Sequence, residues 1–168
     1  MSVVRVIADL HFGHKNMAHR RGFQDEFYMN EHIVEKWNSV VSKRDVTYIP
    51  GDITMEKSSE YYWLDRLNGI KKVILGNHDM PQHVTELLKY VNSVCSMQYM
   101  KIDDVGIILT HAPIHPCELA YRYKLNIHGH VHENTLEDQR YINVSAEAID
   151  YTPRLLTELI KERKEVIN

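Results

Sequence analysis

Apolar residues in this chain gather in short runs that end in polar segments rich in Gly, Asn, Asp and His. Val3 to Ala8 is β-branched, interrupted only by Arg5, and runs into Asp9-Leu10-His11, which predicts a first strand. Val46 to Ile49 and Lys72 to Leu75 predict two more, ending in Pro50-Gly51-Asp52 and Gly76-Asn77-His78-Asp79. Over 30–43, Ile33, Val34, Trp37, Val40 and Val41 keep helical spacing, with Asn30 as the expected N-cap and Glu31 in the first turn. A second helix is expected from Ser58 or Ser59 to Asn68, with Tyr62, Leu64 and Leu67 facing the core and Gly69 as its stop. Pro81 suits the first turn of a third, carrying Val84, Leu87, Leu88 and Val91.

The second half changes character. Val94 to Ile102 and Val105 to Thr110 are strand-like and flank Asp103-Asp104, which predicts a hairpin. A short helix is expected near Cys117 to Tyr123, then strands at Leu125 to His128 and Tyr141 to Val144. Thr152-Pro153 is expected to cap a last helix with Leu155, Leu156, Leu159 and Ile160 on one face. Alternating β-α-β units followed by a hairpin-rich sheet predict a single α/β domain over residues 1–168.

Composition narrows the classes. At 168 residues and 43% hydrophobic, the chain can bury a core without a metal or disulfide to hold it. No apolar run approaches the ~18 residues of a membrane span. The N-terminus reads as a strand rather than a signal peptide, so the expected compartment is the cytoplasm. A net charge of −3 argues against a protein that coats duplex DNA. Cys95 and Cys117 make neither a disulfide framework nor a thiolate metal site. Arg20-Arg21, Lys71-Lys72 and Lys161 to Lys164 read as solvated charge, and His19, His32, His83 and His115 as surface residues.

The histidines change the picture. Eleven of them outnumber seven glycines, and His11, His14, His78, His111, His128, His130 and His132 cluster at the ends of apolar runs. Residues two apart on a strand share a face, so Asp9 with His11, and His130 with His132, are expected to present paired ligands. Carboxylate, carboxamide and imidazole donors at five strand ends, without thiolate, suit Mn²⁺, Fe or Zn²⁺. Ligands of open α/β sheets bind at such carboxyl ends.

The series Asp9-Leu10-His11, Gly51-Asp52, Gly76-Asn77-His78-Asp79, His111 and Gly129-His130-Val131-His132 resembles the calcineurin-like metallophosphoesterases, whose blocks it repeats in order over about residues 3–150. The resemblance implies an α/β, four-layer αββα sandwich of two mixed β-sheets flanked by helices. It also implies two divalent ions, Mn²⁺ foremost, with Fe, Zn²⁺ or Ni²⁺ as alternatives. Asp9, His11 and His132 would hold one ion, Asn77, His111 and His130 the other, and Asp52 would bridge them. His78 would be the catalytic histidine, oriented by Asp79. Many members carry a second acid three residues after the GD aspartate, where this chain has Met55, with Glu56 one further on. His14 is expected at the substrate or behind a ligand, and His128 behind a ligand.

The implied activity is hydrolysis of small phosphate esters, diesters preferred, by a metal-activated hydroxide, with His78 as general acid or transition-state stabiliser. One alternative is a nuclease acting on single-stranded DNA or RNA. A non-catalytic scaffold is a second, disfavoured because every ligand position and His78 are intact. No membrane partner is implied.

Overall fold

Alternation along the first strand divides its side chains between two cores. In the computed structural model, which describes residues 2–163 and Glu165, β1 (Val4–Val6) and its extension send Val6 and Ala8 to one face and Ile7 to the other. β2 (Val46–Pro50) and β3 (Ile70–Ile74) repeat the device, with Tyr48 and Ile74 on the first face and Ile49 and Val73 on the second. With β4 (Ser93–Cys95) these strands run parallel in the order β4-β3-β2-β1. The sheet is closed by β9 (Arg154–Leu155), antiparallel to β1.

The second sheet has the order β5-β6-β7-β8, from β5 (Gln98–Ile102), β6 (Val105–Leu109), β7 (Leu125–His128) and β8 (Tyr141–Asn143). Ile107, Leu109, Leu125, Ile127, Ile142 and Val144 meet the first sheet's inner face, and this contact is the inter-sheet core. On the first sheet's outer face, Trp37, Ile33 and Met29 of α2 (Glu26–Val40) pack with Met17 and Ala18 of α1 (Lys15–Arg20), and with Tyr61 and Leu64. Among the described residues, the outer face of the second sheet carries the short 3₁₀ helix Pro116–Leu119, whose Leu119 packs on Ile108 and Tyr141. The architecture is therefore two mixed sheets with flanking helices, thick on one side and thin on the other. Among the described residues no helix is long and apolar enough to cross a membrane.

Several local expectations are corrected. α2 starts at Glu26, capped by Asp25, which accepts from the Tyr28 N–H; Asn30 is buried within the helix and accepts from the Gly13 N–H. The segment Ser58–Arg66 is a 3₁₀ helix that buries Tyr61 and Trp63 and leaves Tyr62 exposed. After Pro81 the chain makes one 3₁₀ turn and α3 (Val84–Leu87), burying Leu87 and Val91 but exposing Leu88. The run Val94 to Ile102 breaks at Ser96-Met97, because β4 belongs to one sheet and β5 to the other. The Asp103-Asp104 hairpin forms, with both residues left-handed, but β6-β7 and β7-β8 are parallel, so this sheet contains one hairpin.

α4 (Leu156–Lys161) begins at Leu155 without a side-chain cap, and the residues before it form β9. Arg21 and Lys71 are not solvated: Lys71 is buried, its ammonium donating to the Leu67 carbonyl. His32 and His83 are half-buried. Lys164 lies outside the described residues.

Candidate metal centre

Because β1, β2 and β3 run parallel, as do β6, β7 and β8, the segments leaving their carboxyl ends gather on one edge of the sandwich. Backbone hydrogen bonds stitch them together. The Asp9, His11 and Phe12 N–H groups donate to the carbonyls of Gly51, Asp52 and Ile53. The Gly129 N–H donates to the His111 carbonyl, and the His130 N–H to Asp9 Oδ2 at 2.8 Å, which ties the two sheets together at the site.

The same-face pairing expected from strand geometry arises by a different route. Asp9, His11, Asp52, His130 and His132 all lie beyond their strands and all have positive φ, between 50° and 71°. A non-glycine residue held left-handed costs about 1–2 kcal/mol, and such strain persists only where the surroundings over-determine it. Here it turns five side chains inward at once. Glycine is required for a related reason at Gly129: a Cβ there would fall on Asp9 Oδ2 and the Ala8 methyl. Gly129→Ala is therefore expected to cost about 1–3 kcal/mol and to weaken ion binding at Asp9. Thermal unfolding and metal titration check this, and a variant matching wild type in both would refute it.

At the centre, one donor atom from each of Asp9, Asp52 and His111 lies within 4.8 Å of the others, and all three residues are buried. Asp52 Oδ1 accepts the His78 N–H at 3.0 Å, while Oδ2 lies 3.8 Å from His11 Nε2 and 3.5 Å from His111 Nε2. His111 Nδ1 is 3.0 Å from the Pro50 carbonyl, an acceptor, so in the neutral imidazole Nδ1 carries the proton and Nε2 the lone pair. That lone pair faces Asn77 Oδ1 at 2.8 Å as well as the Asp52 carboxylate, and His130 Nδ1 is 3.1 Å away. Acceptors converging on one point are the arrangement a cation completes.

Asp9 Oδ1 and both nitrogens of His11 are buried and unpartnered within the protein, although buried polar atoms are nearly always hydrogen-bonded. Burial holds the His11 imidazole down at about 2, helped by Arg21 and the neighbouring imidazoles, so it is neutral. Burial pushes the Asp9 carboxyl up to about 6, against the opposing pull of Ser145 and His111. A neutral imidazole is the form that binds a metal. The donor set fits divalent ions.

His132 stacks on His11 with ring centroids 5.3 Å apart. Its Nδ1 donates to Glu147 Oε1 at 2.7 Å, and that bond raises its pKa. Burial alone would raise the Glu147 carboxyl, but His132 and Arg21 outweigh it and hold it at about 2. His14 joins the group: it is half-buried, 5.6 Å from the His11 ring, with a pKa lowered mainly by burial.

His128 is buried beside the group, its ring bonding the Gly129 carbonyl and packing edge-on to Tyr141. Asp79 makes no hydrogen bond to the His78 ring among the described residues. Its buried carboxylate instead accepts the N–H groups of Asp52, Ile53 and Gly76, fastening the second loop to the third. The His78 Nδ1 lies 3.3 Å from Glu56 Oε1, so the acid beside Met55 takes the place expected of Asp79. Glu147 escaped the sequence reading; Arg21 entered it only as solvated charge, and Glu56 only as an acid displaced by one position.

Fold and site together define an α/β double-sheet protein with a carboxylate–imidazole centre on its sheet edge. The fold is shared with an archaeal phosphodiesterase, at TM-score 0.53 and 17% identity over 84% of this chain and 81% of that one. A protein of unknown function from Aquifex aeolicus superposes at TM-score 0.77 with 25% identity, covering 96% and 100% of the two chains.

No family model matches the sequence. An uncharacterized protein of Methanocaldococcus jannaschii is 30% identical over 181 residues, 99% of this chain and 96% of that protein, and the chain belongs to one family with it. The gene 66 protein of Mycobacterium phage D29 is 29% identical over 88% of this chain and 89% of its own length.

Proposed function

We propose that this chain is a metal-dependent phosphoesterase of the calcineurin-like family, acting on phosphodiesters in preference to monoesters. One observation carries the reading: buried donor atoms of Asp9, Asp52 and His111 lie within 4.8 Å of one another, beside a His11 ring whose nitrogens have no protein partner.

Asp9, His11 and His132 would hold one ion, Asn77, His111 and His130 the second, and Asp52 both. Divalent ions held there would supply a nucleophile at neutral pH and offset the charge on a phosphoryl group. The protein's own residues do the rest. The His78 N–H fixes Asp52 Oδ1, which leaves Oδ2 to the centre. The His78 ring stays partly exposed, 6.1 Å from that of His11, and Glu56 at Nδ1 leaves Nε2 to meet a phosphoryl or leaving-group oxygen.

The substrate preference rests on the arginines. A monoester dianion is well served by an arginine fork beside the ions, whereas a diester carries one charge. Arg21 is committed to protein acceptors and Arg20 to Glu133. Arg122 lies against Gly106, at the end of β6 remote from His111. With Mn²⁺ supplied, kcat/KM for bis-p-nitrophenyl phosphate is expected to exceed that for p-nitrophenyl phosphate, and EDTA to abolish both activities. A clear monoester preference would overturn the diester reading. Inactivity on both with two ions bound would overturn the phosphoesterase.

A further inference from the structure

We propose that Glu147, held in place by Arg21, is a positioning residue that aims His132 at the metal centre; this rests on the metal-centre reading above. Glu147 is the second residue of the 3₁₀ turn Ala146–Ile149, whose Ala146 N–H donates to the Ala8 carbonyl, so the turn is fastened next to the Asp9 loop. One carboxylate oxygen accepts His132 Nδ1–H at 2.7 Å and the other accepts Arg21 Nη2 at 2.7 Å. The same guanidinium donates to the backbone carbonyls of Asp9, at 2.7 Å, and Leu10, at 3.3 Å. Its side chain is 2% exposed and that of Glu147 is 14% exposed.

Three separate segments thus meet on one ion pair: the left-handed Asp9-Leu10-His11 turn, the His130–His132 loop and the turn after β8. A buried pair of this kind repays little in stability after desolvation, and an outer carboxylate that fixes an imidazole tautomer typically controls ligand affinity. With the proton held on Nδ1, the neutral His132 ring would offer Nε2 as an in-plane lone pair, on a ring stacked against that of His11. Arg21 also ties the register of Asp9 to that of His132, so that both donors keep one geometry.

Calorimetric Mn²⁺ titration of the full chain, without substrate, tests the proposal. Glu147→Gln is expected to weaken one of two sites about 10–100-fold and leave the other within about twofold. Placed on a His132→Ala background, the same substitution is expected to change nothing further, because its effect passes through the missing ring. Wild-type binding at both sites, equal loss at both, or an added loss on the His132→Ala background would each overturn it. Should Glu147→Gln fail to fold, Arg21→Lys keeps the charge but loses the fork. It is expected to weaken the same site, and unchanged binding there would overturn the proposal too. Wild-type protein that bound no Mn²⁺ would instead remove the metal centre itself.

Discussion

His78→Ala is expected to lower kcat about 10²–10⁴-fold, the usual worth of a positioned proton donor, while metal content stays at the wild-type level. The expectation follows from where the ring sits. Its backbone N–H is what holds Asp52, and alanine keeps that group. The ring itself contacts Glu56 and lies outside the converging donors of Asp9, Asp52 and His111. Metal analysis alongside steady-state kinetics separates the outcomes. Loss of an ion with activity would make His78 a ligand, and an unchanged kcat would remove it from the reaction.

Asp52→Asn is expected to damage both sites, where His132→Ala mainly weakens one. Asparagine keeps the acceptor for the His78 N–H and tolerates the left-handed backbone at φ 52°, so the fold should survive. What is lost is the charge on the oxygen that lies within 4 Å of both His11 and His111. Affinity at each site should fall by more than the roughly 10–100-fold that removal of an outer partner costs, and phosphoesterase activity with it. Two tightly held ions in the variant, measured after gel filtration, would show that Asp52 does not bridge.

Much of this was legible in local sequence. Strands announced themselves because runs rich in β-branched residues need no partner to be recognised, as in Val3 to Ala8 and Val46 to Ile49. The site was legible for a related reason: polar donors stood where those runs stopped. Three features were not. Asn30 looked like a cap because a polar residue before an apolar period usually is one, yet tertiary contact with Gly13 buried it. The two residues of β9 are too few to carry a period. The Arg21–Glu147 pair joins positions 126 apart, and no local pattern registers a contact at that separation.

The pairing of β1 between β2 and β9 also decides when the centre can exist. β1 precedes the other described strands in the chain, but its partner β9 and the Ala8–Ser145 bridge come from residues well over a hundred positions later. Contacts this distant in sequence are slow to close, since the loop entropy is spent before they return anything. A growing chain therefore carries Asp9, His11 and Asp52 for most of its synthesis with no His132 or Glu147 to meet them. The full set of donors and the carboxylate behind His132 come together only after β8 and the turn that follows it have been made.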